Sequence, residues 1–391
     1  MPLFLLSALL LITAYAASFT FHPAPQWSWI WKVALAVGEY GAWLVPLAVG
    51  LGAIAGLTTD GAGRVVLLAL AAFAVIGFLR PVWSAARIAA SLPERMRAAF
   101  GDGGARGGEA FSVARLWIHR APAPVAMQTY EIKSAEGVEL KLDFYPVRGA
   151  GATGAPCIVV VHGGGWDGGD RGQLPEWNHR WAARGYAVAA VSYRLAPHFI
   201  WPAQRDDVLA TIAWLKTHAR ELGVDAARFV LLGRSAGGQI ATAVAYGARD
   251  AAIRGVVSFY APQDMEFAWG VSREDDALNS VNLMRQYLGG PPDTPDRKAL
   301  YATASAQAMI GPDTPPTLLL HGVPDTLVWH RHSERLTAAL EAAGVRHHFI
   351  SLPWATHAFD FNPDGPGGQL ADYAIEHFLA AAVRRAGPDG V

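Results

Sequence analysis

The chain has 391 residues, 32 basic against 33 acidic side chains, a formal net charge of −1 and 52% hydrophobic residues. That balance lacks the basic footprint of a nucleic-acid binder, and the single cysteine, Cys157, cannot close an internal disulfide. No Cys/His spacing suits zinc, no dinucleotide fingerprint follows a strand and no repeat recurs, so neither a metal nor an organic cofactor is expected.

The first hundred residues are of a different physical class from the rest. Apolar runs at 3–21, 33–57 and 65–79 predict a bundle of three transmembrane helices, an anchor over residues 1–83. Trp27, Trp29, Trp31 and Trp83 fall at the run ends, where indole rings favour the interface. Arg64 and Arg80 flank the third run and can snorkel to the headgroups. Glu39 lies within about two turns of Lys32, so it is expected to reach the interface or pair with that lysine, while Pro46 kinks the second helix. A cleaved signal peptide ending near Ala14-Tyr15-Ala16 is the rival reading of the first run, although no lysine or arginine precedes it. Arg80, Arg87, Arg95 and Arg97 follow the third run, which places the amino terminus outside and the remainder of the chain in the cytoplasm, on a bacterial inner membrane.

Residues 84–109 read as a connection: a basic amphipathic stretch to Phe100, lying on the membrane face or solvated, then a glycine-rich linker over 101–108. From 110 to 391 strand and helix patterns alternate, which predicts an α/β domain with a mainly parallel sheet covered on both faces. Gln128–Ile132 and Glu139–Phe144 form its opening antiparallel pair, turning at Glu136-Gly137.

The apolar run Cys157-Ile158-Val159-Val160-Val161 ends in His162-Gly163-Gly164-Gly165-Trp166. Consecutive glycines let a main chain approach a ligand and aim N–H groups inward, so Gly164 and Gly165 are candidate oxyanion donors, with His162 bracing the loop. About seventy residues on, Phe229-Val230-Leu231-Leu232 runs into Gly233-Arg234-Ser235-Ala236-Gly237-Gly238 and then a helix. Ser235 therefore sits on a strand-to-helix turn, its hydroxyl held out and the Ala236 N–H completing the anion site. Neither glycine motif is specific alone; together they point to acyl transfer at Ser235.

A serine needs a base and an orienting acid, in the chain order serine, acid, histidine. Asp325 follows the strand Thr317–Leu320, and His357 lies in the loop after the strand His348–Leu352. Asp264, one strand earlier, is the rival acid; Asp206 and Asp207 open a helix, where carboxylates are favoured by the dipole. His330, His332, His347 and His348 read as structural, and His321 as packing beside the acid turn. Between 263 and 300 the pattern lapses, and Phe267, Trp269, Met284 and Tyr287, with Trp166, are candidate pocket residues if this stretch is a lid rather than a surface excursion.

His162 to Asp170, Tyr193-Arg194-Leu195-Ala196-Pro197 with Trp201-Pro202, Gly233 to Gly238 and Leu288-Gly289-Gly290 resemble the α/β-hydrolase carboxylesterases related to hormone-sensitive lipase. The Trp after the glycines is most similar to the bacterial acetyl- and feruloyl-esterase-like and isoprenylcysteine methylesterase-like branch, and the likeness runs from about Val125 to Ala381. The resemblance implies hydrolysis of carboxylic esters by a serine triad, matched here by Ser235, Asp325 and His357, without metal or organic cofactor; substrate does not carry over with it. The expected function is that of a membrane-anchored esterase of small or short-chain esters, with a small-molecule ester and, from the apolar runs, the bilayer as partners. An amidase or formamidase with the same triad, and a silent hydrolase fold serving as a membrane scaffold, are the alternatives.

Overall fold

In the computed structural model, residues 2–26, 29–102, 108–119, 121–134, 136–149 and 154–384 are described. Eight strands form one sheet: β1 (Gln128–Lys133), β2 (Glu139–Tyr145), β3 (Ala155–Val161), β4 (Ala187–Val191), β5 (Val224–Arg234), β6 (Ile253–Phe259), β7 (Thr317–Gly322) and β8 (His347–Leu352). Their spatial order is β1-β2-β4-β3-β5-β6-β7-β8, with β1, β2 and β4 joined antiparallel and every later pairing parallel. The opening hairpin is therefore the sheet's edge, as its alternating pattern predicts.

The strands are apolar on both faces because helices cover both. In β3, Cys157, Val159 and Val161 face one core while Ile158 and Val160 face the other; in β5, Phe229 and Leu231 divide from Val230 and Leu232 in the same way. The first core is closed by α5 (Ala203–Thr217) and α6 (Ala236–Gly247), the second by α4 (Pro175–Ala183) and α11 (Pro366–Ala382). Period-two alternation on a doubly covered sheet removes apolar surface from water on both sides, at about 25 cal/mol per Å².

Three helices precede the sheet: α1 (Leu3–Ser18), α2 (Trp31–Thr58) and α3 (Gly61–Phe100). Two of them, α2 and α3, are long and apolar enough to cross a membrane. The first run is helical for 16 residues only, about 24 Å at 1.5 Å per residue, against a hydrocarbon core of about 30 Å. It packs into the bundle, where Leu6 and Leu10 are buried with Leu51 and Leu67, and a Cβ on Gly77 of α3 would come within 2.8 Å of Ala17.

Two expectations for this region are corrected. The break at 83/84 falls inside α3, which is helical for 40 residues through Pro81 and Pro93. Its second half is amphipathic and packs one face on the α/β domain: Ala85, Leu92, Met96 and Phe100 are buried in the second core, with Phe100 edge-on to Phe378 of α11, while Arg87, Glu94, Arg95 and Arg97 are exposed. Burying that apolar stripe outweighs what two prolines cost the helix. Glu39, expected near Lys32, instead accepts a hydrogen bond from the Gly367 N–H of α11 (3.0 Å), so its carboxylate meets a helix N-terminus. Trp43 donates to the Leu116 carbonyl (2.8 Å) and Arg80 to that of Pro353 (3.0 Å). These bonds dock the bundle on the α/β domain. Of the expected linker, residues 103–107 lie outside the described residues, as does Trp27.

Candidate active site

Strand β5 delivers Ser235 to the sheet's carboxyl edge and α6 begins at the next residue. The turn between them is strained: Ser235 adopts φ +53° and ψ −123°, a region that side chains other than glycine's rarely occupy. Neighbouring backbone makes the turn possible only with glycine on either side. A Cβ on Gly233 would lie 2.1 Å from the Gly237 carbonyl oxygen, and one on Gly237 would lie 2.2 Å from that of His162. The second contact also locks the glycine loop against the serine turn.

Ser235 Oγ lies 3.0 Å from His357 Nε2, and His357 Nδ1 lies 2.8 Å from Asp325 Oδ2. Since the carboxylate only accepts, Nδ1 carries the proton and Nε2 is left to accept from the serine hydroxyl. Asp325 Oδ1 is held by the N–H groups of Leu327 (2.9 Å) and Val328 (3.0 Å), and His321 Nε2 approaches Oδ2 at 3.3 Å. Burial pushes the Asp325 carboxyl up, but the charge of His357 and the hydrogen bonds from His321 and His357 outweigh it and hold the group well below the usual carboxylate range.

The loop after β3 passes beside this chain of bonds, with Gly164 at φ +129° and Gly165 at φ +63°. His162 Nδ1 donates to the Gly163 carbonyl (2.8 Å), its ring stacks on Tyr193 at 4.2 Å, and the Gly163 N–H is taken by Gln173 (2.9 Å). Among the described residues no hydrogen bond is recorded for the N–H groups of Gly164, Gly165 or Ala236. Gly164, Gly165 and Ala236 line the same cavity as the half-buried Ser235.

The rival acid Asp264 is elsewhere: it caps α7 (Met265–Val271) through the Phe267 N–H (3.1 Å) and pairs with Arg335 (2.6 Å). Asp207 is buried against Arg194, at 2.9 Å from its guanidinium, which joins the Tyr-Arg-Leu-Ala-Pro stretch to α5. Of the candidate pocket residues, Trp166 and Met284 line the cavity at Ser235. Three others do not. Tyr287 stacks behind Trp166 at 4.4 Å, and both donate to Gln239 Oε1 (2.8 and 2.9 Å). Phe267 packs on His332 and Arg335, and Trp269 on Tyr301 and Arg285. The short helix α7 turns Ala268 and Val271 toward the cavity, so both aromatics face away from it. With α8 (Ser280–Leu288), this stretch forms a wall of the cavity.

One network was not anticipated. Asp360, two residues beyond Ala358, is buried and takes bonds from Arg234, which precedes Ser235, and from the Tyr260 hydroxyl, while the Tyr260 ring sits 4.4 Å from that of His357. Asp360 thus ties the serine turn to the histidine loop. The only sequence signal was an acid close behind His357. His119, Glu176 and Asp364 gather ligand-type atoms, but Arg115 and Arg180 already bond Asp364, so the cluster is an ion-pair network.

Two histidines, the buried His332 and the half-buried His348, contribute to the acid stability. Burial, then the charge of His321, pushes His332 down to about 3; burial, then Arg95, pushes His348 down to about 4. The unfolded chain binds these protons near pH 6.5 and the folded one does not, so stability falls as pH drops from about 6.5 toward 4, by up to about 1.4 kcal/mol per unit per ring. Asp325 adds a loss below its ordinary value near 4, because its folded-state value is depressed. Chemical denaturation between pH 7 and 4 should show a falling midpoint, and His332→Gln should flatten that slope.

A serine on a strand-to-helix turn, a histidine and acid from the two following strand ends, and a glycine loop on the preceding strand define an α/β-hydrolase. A profile of the BD-FAE family matches residues 142–340, and the chain belongs to that family. It is 29% identical over 252 residues to the probable carboxylic ester hydrolase LipM of Mycobacterium tuberculosis, covering 60% of this chain and 57% of that one. It is 29% identical over 261 residues to an ethyl acetate hydrolase of Pseudomonas putida, covering 61% and 77%. The fold is similar to that of brefeldin A esterase, described as a bacterial homologue of human hormone-sensitive lipase, with TM-score 0.57, 22% identity and coverage of 78% and 87%. The chain thus spans a little over half the length of LipM.

Proposed function

We propose that the protein is a membrane-anchored serine carboxylesterase acting on esters with small or short acyl groups. The observation that carries this reading is the run of hydrogen bonds from Ser235 through His357 to Asp325, in a cavity that Gly164, Gly165 and Ala236 also line. Ser235 Oγ attacks the ester carbonyl as His357 Nε2 takes its proton, and the amides of Gly164, Gly165 and Ala236 hold the alkoxide. His357 then protonates the departing alcohol, leaving an acyl-serine. Water, deprotonated by the same nitrogen, releases the acid and restores the hydroxyl. Asp325 keeps Nδ1 protonated and stabilises the imidazolium that forms in both halves.

Anchoring rests on α2 and α3, with α1 packed along both as a third membrane segment. Arg80, Arg87, Arg95 and Arg97 stand at the hydrolase end of the bundle, which favours a cytoplasmic hydrolase on a bacterial inner membrane. The test is labelling of the full chain by a fluorophosphonate, which reacts only with an activated serine, followed by hydrolysis of p-nitrophenyl esters of increasing acyl length. Labelling at Ser235 with rates highest for the shortest chains is the expected result. An unlabelled serine in folded protein overturns the reading.

A further inference from the structure

The cavity at Ser235 is not built by the hydrolase domain alone. It measures about 640 Å³, and beside Gly164, Ser235 and His357 it is lined by Gln26, from the connection between α1 and α2, and by Trp31, the first residue of α2. That connection is seated on the pocket wall: the Ala277 N–H, ahead of α8, donates to the Gln26 carbonyl (2.5 Å). The docking bonds from Glu39, Trp43 and Arg80 fix the same end of the bundle to the domain.

Three side chains that line the cavity also stand exposed: Leu278, Trp329 and Phe361, at 36%, 38% and 57%. Trp29, two residues before Trp31, is 69% exposed. An apolar rim of this kind marks contact with a membrane or an apolar ligand. It stands at the hydrolase end of helices that present Leu11, Ile12, Leu47, Val49, Val65 and Val66 outward, and with those helices in a bilayer, as proposed above, the rim would face its interface. A cavity of several hundred Å³ encloses a drug-sized ligand; a short acyl group with a small alcohol leaves most of it unfilled.

We infer that the substrate is an amphiphilic ester resident in the bilayer, its short acyl group at Ser235 and its apolar alcohol portion passing between Trp31 and the exposed rim into the lipid. This rests on the esterase reading above and adds the alcohol half of the substrate. Hydrolysis releases the acid to water and leaves the lipophilic alcohol in the membrane.

The experiment uses the full chain in lipid vesicles and compares dodecyl acetate carried in the bilayer with ethyl acetate in solution, following acetate release. Both pass through one acetyl-enzyme, so the comparison isolates recognition of the alcohol. Expected is a kcat/KM higher by roughly tenfold or more for the dodecyl ester, from the apolar area it buries. Trp31→Ala and Phe361→Ala should shrink that ratio severalfold; partitioning into the lipid is the same for every variant, so it cannot account for the change. Equal rates on the two esters, or a ratio indifferent to both substitutions, overturn the inference. If neither ester is cleaved and Ser235 resists the fluorophosphonate, the esterase reading itself fails.

Discussion

Ser235→Ala is expected to lower kcat for ester hydrolysis by about 10⁴ to 10⁶ while leaving the thermal midpoint within a few degrees of the parent. The hydroxyl contributes little to folding, since among the described residues its one side-chain hydrogen bond is to His357, and alanine keeps the Cβ that the strained turn already tolerates. What remains is binding and the three amides, which act on any attacking water but supply no nucleophile. Rates on a p-nitrophenyl ester and loss of fluorophosphonate labelling check the first half, and a thermal melt the second. Retained activity in folded protein would remove Ser235 from the chemistry.

Asp325→Asn should cost about 10⁴ in kcat, and this fold specifies how. The side chain cannot choose its orientation: Oδ1 accepts from the N–H groups of Leu327 and Val328, so an asparagine must keep its carbonyl there and turn its NH₂ toward His357. Nδ1 of His357 then has to accept rather than donate. The proton moves to Nε2, the nitrogen that should receive the proton of Ser235, and the base is disarmed. His321 loses its carboxylate partner too. Because a neutral imidazole no longer faces a carboxylate, activity should recover partly at alkaline pH, where a trace of serine alkoxide forms. A pH–rate profile against Asp325→Ala separates this from simple loss of the acid, since alanine leaves the tautomer free.

The residues of the candidate site were legible because their positions follow from topology. Each lies just beyond a strand at the sheet's carboxyl edge, and the short apolar runs before Gly163, Ser235, Asp325 and His357 could be recognised one by one. Asp360 was not legible, since nothing local distinguishes a buried acid bonded to Arg234 and Tyr260 from a solvated one. The pocket aromatics divided for a similar reason. Phe267 and Trp269 sit on a helix of seven residues, too short for periodicity to say which side is inward. The anchor was misjudged where hydropathy and helix propagation part company. Arg80 and Pro81 end the apolar run, yet backbone hydrogen bonding continues beyond them, because the polar half of α3 has a partner in α11. Likewise a carboxylate at 39 reads as a membrane cost until the Gly367 amide meets it.

The seat that Glu39 makes on α11 bears on any attempt to cut the protein down. Severing the chain near residue 108 would strip Phe378 of Phe100 and leave the Gly367 amide bare, uncovering a greasy scar along α11. The liberated fragment would have lost one side of its own binding chamber along with its tether, and self-association rather than solubility is the fate such a surface invites.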